Sequence, residues 1–212
     1  MYGVQPFSLQ QTIEDYEAGS KVAMIEAIKA GTTTLGDYQK DMQGRCEFLA
    51  KLGARGIITQ TIRDAVKRVY EPGELYEFSE ELGEQSLGEN LALYDKWHGY
   101  DSGRIRVMFG PQGADFVSRD LLKRIYQLAK ERNTRVHMHT QHGDRETAQM
   151  EMRYGMRPVA WLKQEGLLNE TLLAVHLTDC TEKEAQMVAN SGASMIVCPG
   201  SIGIIDGIVP PS

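Results

Sequence analysis

Three of the five histidines in this chain fall within one short stretch, Arg135-Val-His-Met-His-Thr-Gln-His-Gly-Asp-Arg-Glu146. His137 and His139 are two apart in a run that reads as a strand. Side chains alternate faces along a strand, so both imidazoles should point to the same side. His142 and Asp144 come next, where the strand should give way to a loop. Neutral imidazole is a good ligand for zinc or iron, and two on one face with carboxylates nearby form a metal-binding set. The plainer reading makes His137 a hydrogen-bonded core residue and His142 an ordinary loop residue. An isolated H-x-H favours that plainer reading, and the rest of the chain moves the balance away from it.

The elements that must position these residues can be read from periodicity and punctuation. Ser8 can cap a helix over 9–30, with Val22, Ile25 and Ile28 at helical spacing and Gly31 as a stop. A β-branched strand comes next at 32–37, then a helix over 43–52 closed by Gly53, then a strand at 55–60. The polar stretch 71–99 carries a helix at 90–97, and a third strand occupies 104–109. Ser118 caps a helix with Leu121, Leu122, Ile125 and Leu128 on one stripe, which leads into the histidine strand. A helix over 146–154 stops at Gly155, and Pro158 opens a short one that ends at Gly166. The fifth strand is 171–176. Thr181 and Glu184 form a T-x-x-E capping box before the next helix, and the sixth strand is 193–198.

Strict alternation of strand and helix implies parallel strands joined by right-handed crossovers. Open doubly wound sheets and (β/α)8 barrels both satisfy it. No Gly-x-Gly-x-x-Gly comes after a strand and no Gly-Lys-Ser/Thr loop is present, which weighs against a nucleotide-binding open sheet. Polar residues gather just after the strands: Asp37, Gln60, Gln112, His139, His176 and Ser201. In a barrel those ends share one face, where active sites are built, so a TIM-type (β/α)8 barrel is expected.

Composition bounds the rest. At 212 residues the chain can build one sizeable core, and 42% hydrophobic with 25% charged residues is ordinary for a globular protein. A formal net charge of -6 argues against a dedicated nucleic-acid binder, which would carry a basic face. Cys46, Cys180 and Cys198 are scattered, odd in number and without a C-x-x-C, as in a reduced intracellular protein with buried thiols. The N-terminus has neither a basic n-region nor an apolar h-region, and no apolar run approaches a membrane span. A cytoplasmic location without membrane association is expected.

Ala27-Ile-Lys-Ala-Gly-Thr-Thr-Thr34 through Asp37, Gly110-Pro-Gln112 through Ser118, His137-Met-His139, Ala174-Val-His176 and Gly192-Ala-Ser-Met-Ile-Val-Cys-Pro199 succeed one another in order. In this order the chain resembles the amidohydrolase superfamily, in the branch of cytosine, guanine and methylthioadenosine/adenosylhomocysteine deaminases and triazine hydrolases. The pieces are similar to that family's barrel strands two, four, five, six and seven. Tyr154-Gly155, Arg157-Pro158 and Gly166-Leu-Leu168 match its joining segment. The resemblance implies a partial barrel domain over 1–212, holding about strands two to seven, and one zinc or iron ion per site. By it His139 is a metal ligand, with His137 as a further candidate. His176 binds metal or holds the attacking water and substrate. The implied reaction is hydrolytic deamination, or dechlorination, of a small heterocyclic substrate by metal-activated water.

The departures from the family pattern are specific. His142 stands where many relatives carry a glutamate proton shuttle, and Gln112 where many deaminases carry a substrate-contacting histidine. The family's H-x-H of strand one and aspartate of strand eight have no counterpart in the sequence, so a truncated product, inactive alone, is expected. The alternative is a non-catalytic barrel remnant that binds a ligand or partner. Gln112 and Ser201 are candidate substrate contacts; Ser201 and Asp206 could both line a substrate pocket by position, and both suit a turn equally well. Asp37 is expected to be structural, Trp97 and Trp161 core, Cys198 an inert buried thiol and His98 a loop residue. Open edges at strands 32–37 and 193–198 predict a homo-oligomer or poor solubility.

Overall fold

The computed structural model describes residues 12–71 and 73–201. Six strands alternate with helices, and the sheet order runs with the chain, β1 to β6. The chain divides into two compact units. One holds the residues up to Gln60 together with Leu91–Val107, the other Thr61–Asn90 and the residues from Met108 onward.

The first unit contains α1 (Ile13–Lys29), β1 (Thr34–Gln39), α2 (Gln43–Leu52), most of β2 (Arg55–Ile62), the second half of α3 (Glu80–Trp97) and the start of β3 (Ile105–Pro111). β1 and β2 pair in parallel, with Asp37 opposite Ile58. Met42, Cys46, Leu49, Ile58, Trp97 and Ile105 meet in its core. Trp97 is therefore a core residue, as its sequence context implies. Gly53 ends α2 in the left-handed region at φ 65°, a conformation that costs glycine least.

Two expectations are corrected in this unit. Among the described residues the first helix starts at Ile13, where Thr12 and Asp15 form a full capping box; Ser8 lies outside the described residues. Its stripe Val22, Ile25 and Ile28 is exposed (Val22 57%), because the inward face of α1 carries Met24, with Glu17, Lys21 and Ala27 partly covered. Strand β1 lies two residues further on than its β-branched run suggests, so Asp37 is inside it. There Asp37 pairs with the buried Arg45 at 3.2 Å, a structural role.

The second unit contains the end of β2, the first half of α3, most of β3, then α4 (Arg119–Glu131), β4 (Val136–Thr140), α5 (Asp144–Tyr154), α6 (Pro158–Gln164), β5 (Leu172–His176), α7 (Glu182–Ala189) and β6 (Ser194–Ile196). β3 to β6 pair in parallel. α4 buries Leu121, Leu122 and Ile125, the stripe that its 3.6-residue period dictates. Trp161 on α6 is buried and stacks on Tyr154 with ring centroids 4.7 Å apart.

Ser118 takes the N-cap position of α4, but its hydroxyl donates to the Asp64 carboxylate instead of accepting from the helix. The Thr181–Glu184 capping box of α7 is complete. α3 begins at Glu80, ten residues before the sequence signal. Glu, Gln, Leu and Asn carry the helix through Gly83 and Gly88. A side chain at Gly83 would press on Leu121 at 3.0 Å and Asp64 at 3.1 Å, so close packing explains that glycine. Cys198 lies beyond the short β6 and is only half-buried, as is Cys180; of the three thiols Cys46 alone is buried.

Candidate active site

The register between β4 and β5 builds the site. Thr140 pairs with His176 and His139 with Val175, so the ends of the two strands are level. Gln141 and His142, the two residues after β4, therefore lie beside His176. The rings of His142 and His176 stack 3.6 Å apart at 9°. His139 completes the group, with centroids 5.3 Å from His176 and 6.3 Å from His142. Backbone strain gathers here: Gln141 (φ 50°), His176 (φ 81°) and Leu177 (φ 55°) all occupy the left-handed region without being glycine.

Burial sets the charge state. His137 and His176 are pushed down to about 4, burial being the main cause for both, with neighbouring histidines adding to it. His139 is lowered by burial against the opposing pull of the Gln112 backbone carbonyl. All three are neutral near pH 7, the form that ligates metals. His139 Nδ1 lies 2.8 Å from that carbonyl, which can only accept, so Nδ1 carries the proton and Nε2 the lone pair. His176 Nδ1 is buried and has no hydrogen-bond partner among the described residues.

These observations fit zinc or iron as far as donor chemistry goes: neutral imidazoles, one with its tautomer fixed from behind, one with an unpartnered buried nitrogen. They do not make a whole site. Among the described residues no group of three His, Cys, Asp or Glu side chains is placed to hold a metal. His137 is buried on β4, close enough for its charge to bear on His176.

The other candidates separate. Gln112 contributes its carbonyl to His139, while its side chain accepts from Arg63 at 3.2 Å. Ser201 ends a short helical turn, Pro199–Ser201; its side chain and Asp206 lie outside the described residues. His98, a turn residue as expected, stacks on Tyr94 at 4.2 Å.

Two buried carboxyls beside the histidines carry no signal in the sequence. Glu146, in the first turn of α5, accepts the His142 backbone N–H at 2.9 Å, and burial and the charge of Asp115 push it up to about 8. Asp115 is raised to about 6 by burial, opposed by Arg145, whose guanidinium lies 3.9 Å away. Glu146 stands at a helix start and Asp115 two residues after Gly113, positions usual for solvated acids. Only their burial distinguishes them.

A sequence model of the amidohydrolase family matches residues 6–208. The chain belongs to the amidohydrolase family. It is 29% identical over 198 residues to a 5-methylthioadenosine/S-adenosylhomocysteine deaminase of Thermoanaerobacter pseudethanolicus, covering 93% of this chain and 43% of that protein. It is 28% identical over 208 residues to a 5'-deoxyadenosine deaminase of Methanobrevibacter smithii, covering 98% and 45%. Among solved structures it resembles an adenosine deaminase from Xanthomonas campestris with bound zinc, with a TM-score of 0.79, 26% identity, and coverage of 95% of this chain and 43% of that one. The chain thus spans less than half the length of these relatives. The fold of this amidohydrolase chain is that of the (β/α)8 barrel, with six of its parallel strands among the described residues. Among those residues no helix is long and apolar enough to cross a membrane.

Proposed function

We propose that this chain is part of a metal-dependent amidohydrolase barrel domain that deaminates, or dechlorinates, a small heteroaromatic ring by hydrolysis. The observation that carries the reading is the meeting of the His139, His142 and His176 rings at the level ends of β4 and β5. The nucleoside deaminases among its relatives point to a purine nucleoside as the substrate class. A zinc or iron ion bound here supplies Lewis acidity and brings the pKa of water to about 7.

The chain's own residues divide the remaining work. His139 and His176 would hold the metal, His139 through Nε2 because the Gln112 carbonyl occupies Nδ1. His137, buried on the same strand, is the further candidate ligand. His142, stacked on His176, is the candidate to take up and return a proton at its ring. Gln112 and Ser201 are the candidate substrate contacts. Catalytic zinc usually has three protein ligands, so two histidines hold it weakly and the 212-residue chain alone turns over slowly or not at all.

The test is ammonia release from adenosine, 5'-deoxyadenosine, guanine and an aminotriazine with added zinc, alongside equilibrium dialysis of zinc against the parent, His139→Ala and His176→Ala. Weak zinc binding lost in both variants supports the reading. Zinc retained undiminished by both variants refutes it.

A further inference from the structure

We propose that Gln141 is the positioning residue of the histidine site: its side-chain amide, clamped between the loops after β4 and β5, sets the place of His142 against His176. Gln141 is fully buried. Its Nε2 donates to the Asp179 carbonyl at 2.9 Å and to Glu184 Oε2 at 2.8 Å, and its Oε1 accepts from the Val159 N–H at 3.1 Å. Its backbone carbonyl accepts from the Asp179 N–H at 3.1 Å. Both amide hydrogens and the amide oxygen are thus engaged, which no side chain of the same length but other chemistry can reproduce.

The partners are themselves fixed. Glu184 is held by the Thr181 N–H at 2.9 Å and by Arg157 Nε at 2.9 Å, and Asp179 by Arg157 and by the Thr147 hydroxyl. Gln141 therefore ties the turn after β4 to the turn after β5, to the start of α6 and to α7. It does so in a left-handed backbone conformation immediately before His142. That matters because His176 Nδ1 has no hydrogen-bond partner among the described residues. The ring of His176 is steadied by its 3.6 Å stack on His142, and His142 is held by the chain through Gln141 before it and by the Glu146 carboxylate that accepts its backbone N–H. A network of satisfied buried polar groups is rigid, so a loss at Gln141 is felt at both rings.

The consequence for metal affinity rests on His139 and His176 being ligands; the consequence for ring placement does not. The experiment separates the two. In the metal-free 212-residue chain with 15N-labelled histidine, Gln141→Leu is expected to abolish the ring-current displacement of the His142 and His176 resonances. Gln141→Glu keeps the length and the acceptor for Val159, loses both donors and faces the Glu184 carboxylate. It is expected to do the same, and it serves if Gln141→Leu fails to fold. Leu122→Ala, in the α4 core, is the control for general loosening and is expected to lower Tm while leaving both rings in place. Zinc titration should then show affinity about tenfold weaker in the Gln141 variants, as for loss of a group that orients metal ligands. Unmoved rings in a folded Gln141 variant overturn the proposal, and so does an equal shift in Leu122→Ala. Rings that move in a chain with no zinc affinity at all uphold the positioning role and refute the metal reading alone.

Discussion

Replacing Glu146 by glutamine should make this protein more stable at neutral pH. Glu146 is buried at the start of α5. Its Oε2 accepts the His142 backbone N–H at 2.9 Å, while Oε1 is buried with no hydrogen-bond partner among the described residues. Burial first, then the charge of Asp115, raise its carboxyl from 4.5 to about 8. Between those two values the folded chain keeps a proton that the unfolded chain has released. The contribution of Glu146 to stability is therefore fully present below 4.5 and is lost as pH rises through 8. From 4.5 to pH 7, at about 1.36 kcal/mol per pH unit, the loss amounts to about 3 kcal/mol. Asp115 takes a share of this effect, which leaves about 2 kcal/mol to Glu146. Glutamine has the same shape and cannot ionise, and its amide oxygen can still accept from His142. The assay is urea unfolding of parent and Glu146→Gln at a series of pH values, compared by midpoint at constant slope. The two proteins should be nearly equal at about pH 4.5, and the variant should be the more stable by about 2 kcal/mol at pH 7. A variant less stable than the parent at pH 7, or a difference that does not change with pH, would show that Glu146 is ionised in the fold and refute the reasoning.

Three further outcomes are expected from the structure. Zinc retained by the parent after dialysis against a weak chelator should fall below detection in His139→Ala and in His176→Ala; retention in either would remove that residue from the ligand set. Arg157→Leu leaves the buried Glu184 carboxylate without its guanidinium and should cost about 2 kcal/mol, a Tm lower by about 4–8 °C for a chain of this size; scanning calorimetry showing no loss would mean Thr181 and Gln141 suffice to hold it. The exposed Val22–Ile25–Ile28 stripe of α1, and β1 and β6 at the ends of the sheet order, should make the isolated chain self-associate, and Val22→Lys with Ile25→Glu should lessen it. A parent that scatters light as a monomer throughout a dilution series contradicts this.

The elements legible in the sequence are those fixed by local chemistry. Gly53 and Gly155 stop helices because their own backbone takes a positive φ, and Thr181 with Glu184 satisfies the first turn of α7 within four residues. Apolar period identifies the buried face of α4. The same rule misleads at α1, where the regular stripe Val22–Ile25–Ile28 is exposed and the mixed one around Met24 faces inward. Periodicity shows that a helix has an apolar face; it does not show what, if anything, covers it. The first ten residues of α3 escape sequence reading for the opposite reason. They carry Gly83 and Gly88 and little apolar period, and the room that Gly83 leaves for Leu121 comes from an element more than thirty residues later in the chain.

The histidine site shows the same division at closer range. Strand parity places His137 and His139 on one side of β4, because alternation is a property of any strand. It cannot place His142 or His176, which lie beyond or at strand ends with left-handed backbone nearby. The register of β4 on β5 brings those two together, and register depends on side chains packed between distant elements. Gln141 makes the limit plain. Its neighbours in sequence give it no distinction, whereas its amide meets groups from Val159, Asp179 and Glu184, 18 to 43 residues away. The side chains proposed to bear the chemistry stand out by their type, since few residues ligate metals. The side chains that hold them in place are ordinary in type and distinctive only in their partners, so they become visible when the fold is known.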